Sequence, residues 1–251
     1  MMKKTMTAIA LSLLALAGCS RTVEPAAQVP LPREEMPQDF TGTWTSYYPS
    51  GAVESVREMK DGQPCGAVVE YYESGNVREK YTMIDGKLQG QYLRYHPSGD
   101  MESSSGYKDN LLDGLRTVYF DSGNRVLSTQ TFSEGRFASP STIYYPDGMI
   151  RIVVTPRGIG ATPGMVSYYP GGRKLGELPV GDEGTVGTVT FYYPDGTVSE
   201  SYGKLGDSPH GEYRSWYPDG SPRREGTYVR GEPAGTWKMW SRDGTLTVHT
   251  Y

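Results

Sequence analysis

The chain has 251 residues, with 25 Lys and Arg against 29 Asp and Glu, a net charge of −4. That balance speaks against nucleic acid, anionic lipid or lipopolysaccharide as the main ligand, since each requires a basic footprint. Twenty Tyr, 32 Gly and 18 Pro against only 5 Phe and 4 Trp favour strands and turns over a thick aliphatic core.

The first 18 residues read as a secretion leader. Lys3 and Lys4 precede an apolar run from Ala8 to Ala17, broken only by Ser12. The run is too short to span a bilayer, which takes about 20 apolar residues, and has the size of a signal-peptide core. It ends in Leu16, Ala17, Gly18 and Cys19. Small residues before the cut suit a peptidase groove, and the Cys19 thiol is placed to take a diacylglycerol. This resembles the bacterial lipoprotein signal. It implies a mature chain anchored to a membrane through lipid on Cys19 without spanning it, because two or more acyl chains hold firmly. Ser20 follows the cysteine, which resembles the sorting pattern for the outer membrane, facing the periplasm. Without Lys3 and Lys4 the mature chain has 23 basic and 29 acidic side chains, a net charge of −6. Once Cys19 is acylated, Cys65 has no partner left within the chain, so no disulfide is expected.

Residues 19–40 carry the lipidated cysteine and a tether. The stretch 21–40, RTVEPAAQVPLPREEMPQDF, has four prolines and no periodicity. Locally stiff polyproline conformation gives it an upper reach of about 60 Å at ~3.1 Å per residue.

From residue 41 to 251 one block recurs: two aromatics, a turn and a glycine. The instances are YYPSG, YYESG, YHPSG, YFDSG, YYPDG, YYPGG, YYPDG, WYPDG and WSRDG, ending at Gly51, Gly75, Gly99, Gly123, Gly148, Gly172, Gly196, Gly220 and Gly244. Every spacing is 24 residues except one of 25. A second landmark lies nine residues before each final glycine: Gly42, Gly66, Gly90, Gly114, Ser139, Pro163, Gly187, Gly211 and Gly235. Proline presets an early turn position, and Asp-Gly or Ser-Gly accepts the left-handed conformation. Each unit has room for two strands of about seven residues and two turns, and none for a helix. Nine units predict an all-β fold: an elongated single-sheet solenoid of β-hairpins, about 18 strands and on the order of 85 Å long at ~4.7–4.9 Å per strand.

The pattern G-x-W/Y-x-x-Y-Y-x-x-G, with the downstream GTYVRG of residues 226–231, resembles the MORN repeat, in the variant found in bacterial antitoxin-like proteins. GKLQGQY at 86–92 and GEPAGTW at 231–237 are the nearest matches. The resemblance covers residues 41–251. It implies a hairpin solenoid with a binding or scaffold role and no particular chemistry.

Two aromatic ladders follow from the blocks. The first is Tyr47, Tyr71, Tyr95, Tyr119, Tyr144, Tyr168, Tyr192, Trp216 and Trp240, never interrupted. It reads as structural, stacking neighbouring hairpins. The second is Tyr48, Tyr72, His96, Phe120, Tyr145, Tyr169, Tyr193 and Tyr217, with Ser241 in the last block. It tolerates polar substitution and is the candidate ligand face, since rows of amphipathic Tyr suit protein recognition; stacking between repeats is its other reading. Repeats five to seven are irregular, with TPRGIGATPG from Thr155 and GELPVGDEGTVG from Gly176. These read either as degenerate repeats or as a hinge or binding loop. Trp237 and Trp240 read as closing the core of the last repeat, or as a binding hot spot.

No chemistry stands out. His96, His210 and His249 are scattered, G-x-S-x-G never occurs, and no cysteine-histidine cluster has metal spacing. The recurrent Asp-Gly pairs lack the pattern of calcium solenoids. The expectation is a non-enzymatic, cofactor-free and metal-free protein-binding scaffold in the cell envelope. The alternatives are an immunity (antitoxin) lipoprotein neutralising a secreted toxin, and a spacer that binds envelope polysaccharide or peptidoglycan.

Overall fold

Each of the nine turn glycines, Gly51 to Gly244, takes a φ between +76° and +96°, where a side chain would be strained. The computed structural model describes residues 36–159, 163–179 and 186–251. In the first turn the Tyr48 N–H donates to Ala52 O and the Gly51 N–H to Tyr48 O, both at 2.8 Å. The return turn pairs Asp61 (φ 49°) with Gly62 (φ 74°), two left-handed residues whose twist matches the flanking strands.

The strands follow one another in chain order. The first four units supply β1 (Gly42–Tyr47), β2 (Val53–Lys60), β3 (Gln63–Tyr71), β4 (Val77–Ile84), β5 (Lys87–Tyr95), β6 (Met101–Lys108), β7 (Leu111–Tyr119) and β8 (Val126–Ser133). The fifth and sixth supply β9 (Arg136–Phe137), β10 (Ser141–Tyr144), β11 (Ile150–Thr155), β12 (Gly164–Tyr168) and β13 (Lys174–Pro179). The rest are β14 (Val186–Tyr192), β15 (Val198–Leu205), β16 (Ser208–Trp216), β17 (Pro222–Val229), β18 (Glu232–Trp240) and β19 (Leu246–Thr250). All 19 belong to one sheet, and every pairing is antiparallel between neighbours in the chain, apart from β8, which pairs with both β9 and β10. No helix occurs among the described residues. The expected hairpin array is therefore what forms. The 19th strand arises because β9 and β10 share one edge of β8: Phe137 lies opposite Phe132, and Ile143 opposite Ser128. Pro140, which has no N–H for a ladder, lies in the break between them, in the one unit with 25-residue spacing. The irregular stretches expected as hinge or loop fall partly outside the described residues, at 160–162 and 180–185.

Eight hairpins carry a register slip just before the first aromatic, as from Ser46↔Ser55 to Tyr47↔Val53. The β18–β19 hairpin has none, running from Thr236↔Thr250 to Trp240↔Leu246 in a single register. A bulge re-aims the side chains beyond it, so strict alternation does not carry through into the aromatic pair.

The core lies on one face and is thin. It is deepest at the residue two places after the landmark glycine in three repeats: Val68 and Val189 are 1% and 0% exposed, and Trp237 6%. Aromatics at and beside this position stack from strand to strand. Tyr81 and Tyr92 lie 5.1 Å apart, Tyr92 and Tyr107 5.8 Å, and Tyr213 and Trp237 5.3 Å. The first ladder is half-buried, with Tyr47 54% exposed. The deepest row is thus a third one, beside the two ladders read from the blocks.

Candidate functional site: the turn edge of the array

The second ladder runs along the edge formed by the block turns. Its members Tyr48, Tyr72, His96, Phe120, Tyr145, Tyr169, Tyr193 and Tyr217 are all half-buried. Six of them make the same bond: the hydroxyl donates to the backbone carbonyl of the first aromatic in the next repeat. The pairs are Tyr48 to Tyr71 (2.6 Å), Tyr72 to Tyr95 (2.8 Å), Tyr145 to Tyr168 (2.8 Å), Tyr169 to Tyr192 (3.0 Å), Tyr193 to Trp216 (2.8 Å) and Tyr217 to Trp240 (2.8 Å). The donor and acceptor are 23 residues apart each time. A phenol is long enough to reach the next repeat, and the 24-residue period sets it opposite the same carbonyl in every copy.

The tie fails at two neighbouring places. Phe120 has no hydroxyl to donate. His96 is shorter than tyrosine, and its Nε2 is buried without a hydrogen-bond partner, 4.0 Å from Asp121 Oδ1. The structure therefore gives the candidate face two kinds of residue: six tyrosines committed to holding repeats together, and a gap at repeats three and four. The committed hydroxyls are not free to meet a ligand; ring edges and neighbouring side chains are what the edge presents.

Those neighbours are basic residues that the ladder pattern alone did not reveal. Arg125 stacks over Phe120, Arg151 over Tyr145, and Arg223 and Arg242 both over Tyr217, with 5.7–5.8 Å to the ring centroids. Such cation–π contacts give about 0.5–1 kcal/mol at exposed sites. Arg125 also donates to Pro146 O (3.4 Å) and Arg173 to Pro194 O (2.8 Å), each in the next repeat's turn. The sequence signal was a basic residue one to three places after the turn glycine, except for Arg242, which lies two places before Gly244. The turn aspartates are turned inward instead: Asp195, Asp219 and Asp243 accept from their own turns, and the hydrogen bond from the Ser241 hydroxyl, with one from the Thr245 N–H, holds Asp243 down at about 2.

On the core face, an ion-pair cluster joins repeats one to three. Glu70 accepts from Arg57 (3.5 Å), Arg78 (2.5 Å) and Tyr81 (3.0 Å), and Glu79 from Tyr92 and Arg94. Burial pushes the Glu70 carboxyl up, but the hydrogen bonds from Arg78 and Tyr81 and the two guanidinium charges outweigh it and leave it below the usual range. Burial, helped by the Glu70 charge, raises the Tyr81 phenol to about 12. Every member has a partner, so the cluster reads as structural. On the opposite face a shallow hollow is lined by Thr188, Ser201, Glu212, Arg214 and Trp216, where Glu212 and Arg214 pair at 3.1 Å. Among the described residues no group of three or more His, Cys, Asp or Glu could hold a metal ion, and Cys65 is a free thiol. No helix there is long and apolar enough to cross a membrane. Cys19 lies outside the described residues.

A family model, the MORN repeat variant, matches residues 40–61, 64–85 and 209–230. Each match covers one hairpin with its block turn: β1–β2, β3–β4 and β16–β17. No curated protein matches the chain significantly. Among solved structures, it is similar to crystal structures of TcdB2-TccC3-Cdc42 and of TcdB2-TccC3-TEV. Each is 13% identical, with a TM-score of 0.22, covering 81% of this chain and 15% of the other. This chain thus spans under a sixth of the length of the chains it matches, and the likeness is too slight to inform fold or function. At these three places the chain carries hairpins that match the MORN repeat variant, and the whole sheet repeats the same hairpin.

Proposed function

We propose that this protein is a non-enzymatic scaffold, anchored by lipid on Cys19 to the bacterial cell envelope at the outer membrane, that binds another protein along its repeat array. MORN repeats suggest binding to proteins or membranes. Protein is favoured here because the chain is acidic overall, which disfavours an anionic membrane surface as the ligand of the array. The observation that carries the reading is the single-layer sheet: no second layer of described residues covers it, and its aromatic rows stay half-exposed along the whole length, as in other repeat arrays that bind along one surface. The anchor is supported by the basic start, the apolar run and the small residues before Cys19.

The test is a cross-linked pull-down of the lipidated protein from its own envelope, read by mass spectrometry, beside Cys19→Ser. The reading requires one protein recovered in stoichiometric amount, and a Cys19→Ser variant that leaves the detergent phase. A wild-type protein that partners only with peptidoglycan sacculi would replace it with the polysaccharide reading, which the Trp216 hollow favours: an aromatic wall beside a carboxylate, a guanidinium and two hydroxyls is chemistry that suits a sugar.

A further inference from the structure

The turn edge is uniform in most repeats and departs from the rule in the middle. The position after the turn glycine holds small or polar residues such as Ala52, Asn76, Asp100, Thr197 and Ser221, but Met149 in the fifth repeat. Met149 is 46% exposed and the adjacent Ile150 41%. Two large apolar side chains thus stand side by side in solvent, where the two places after any other turn glycine expose at most one, Leu246 in the last repeat. They lie next to the gap in the tyrosine ties, since the Phe120 repeat immediately precedes theirs.

Contacts make this stretch continuous. Arg125 reaches from the fourth repeat to Pro146 of the fifth. The Met149 sulfur accepts from the Gly171 N–H of the sixth at 3.2 Å, and Arg173 reaches on to Pro194 of the seventh. Charge is also skewed. Arg125, Arg151 and Arg173 line the edge against Asp121 and Asp147 of the fourth and fifth turns, while the sixth turn, Pro170-Gly171-Gly172, has no carboxylate. Each guanidinium has five donors, so the bonds named above leave several unused. A basic, apolar stretch in a chain of net charge −4 is a local exception to the protein's charge.

We infer that the edge of repeats four to six, centred on Met149 and Ile150 and flanked by Arg125, Arg151 and Arg173, is the docking surface for an acidic protein segment carrying an aliphatic or aromatic anchor. The inference rests on the protein-binding reading above and locates it. Apolar anchors ringed by charge are the usual anatomy of a hot spot, and Met adapts its shape to varied partners. The arginines supply carboxylate recognition through paired N–H donors.

The probe is a random peptide library displayed against the full chain. Selected peptides are expected to be rich in Asp and Glu around a Leu, Ile, Phe or Trp. Met149→Ser with Ile150→Ser should weaken them about tenfold or more, the equivalent of losing ~1.4 kcal/mol. Arg125→Glu with Arg151→Glu should do the same and reduce the salt dependence. Val198→Ser, the place of Ile150 in the seventh repeat, should leave binding unchanged. Melting curves establish that the variants fold, which the exposure of Met149 and Ile150 makes the expected result. Selected peptides that are basic or without charge bias overturn the proposal. So does equal weakening by Val198→Ser, or displacement of the peptides by phosphatidylglycerol vesicles, which would identify a lipid surface instead. Acidic peptides indifferent to Met149→Ser with Ile150→Ser would refute this edge and leave protein binding standing. If no peptide is selected and no protein cross-links in the envelope, both readings fall.

Discussion

Trp237 lies flat against the backbone of Gly226: a Cβ at position 226 would stand 2.2 Å from Trp237 Cδ2. Gly226 pairs with Tyr213 in the ladder, and the Tyr213 and Trp237 rings close over the glycine with centroids 5.3 Å apart. Gly226→Ala must therefore displace the indole. Overpacking of this kind costs about 1–3 kcal/mol, or roughly 2–12 °C in melting temperature at ~2–4 °C per kcal/mol for a chain of this size. Thermal unfolding followed by circular dichroism measures it; a variant melting like wild type would show that the indole has somewhere else to go.

Trp237 is the anchor of its repeat. It is 6% exposed, meets Tyr228 edge-on at 4.9 Å, and donates its indole N–H to Thr227 O at 3.2 Å. Trp237→Ala is expected to cost about 3–5 kcal/mol. Trp240 is only half-buried, so Trp240→Ala should cost clearly less. Denaturant midpoints of the two variants decide it, and equal losses would contradict the burial difference.

The tyrosine ties give a pair of opposite expectations. Tyr217→Phe removes one tie and should destabilise by about 0.5–1.5 kcal/mol, the net worth of a typical hydrogen bond. Phe120→Tyr supplies the missing hydroxyl opposite Tyr144 O and should stabilise by a similar amount. Amide hydrogen exchange in β10 should slow in the second variant. A Phe120→Tyr protein with unchanged exchange and stability would mean that the ladder geometry at repeat four does not bring the phenol to the carbonyl.

Glu70 sets an acid limb. Its folded carboxyl titrates below its usual value of 4.5, so the folded state holds fewer protons than the unfolded chain just below that pH. The stabilisation is complete above about 4.5 and is lost as pH falls through the lower, folded value. Melting temperature should accordingly drop below about pH 4.5, and Glu70→Gln should flatten that drop while lowering stability at neutral pH. A wild-type slope kept intact in Glu70→Gln would assign the limb to other carboxylates.

Much of this fold was legible in the chain because its determinants are local. A turn glycine at a near-constant 24-residue period, most often preceded by Pro-Asp or Pro-Ser, calls for a left-handed residue at that place, and all nine glycines adopt it. Strands between such turns can pair only with their chain neighbours, so the sheet order followed from the period. The MORN resemblance rested on the same local pattern. The identity of the buried row did not, because the bulge before each first aromatic, as between Ser46 and Tyr47, shifts the side-chain phase where alternation alone would have assigned faces. Nor did the task of the second ladder. Tyr48 and Tyr145 are spelled alike whether they face a ligand or a carbonyl, and only the distance between successive repeats decides that the phenol reaches the next strand while His96 falls short. The exposure of Met149 and Ile150 was likewise invisible in the sequence, where an apolar pair after a turn reads as the start of a buried strand. It is the folded edge, with Met149 laid against Gly171, that leaves them in solvent.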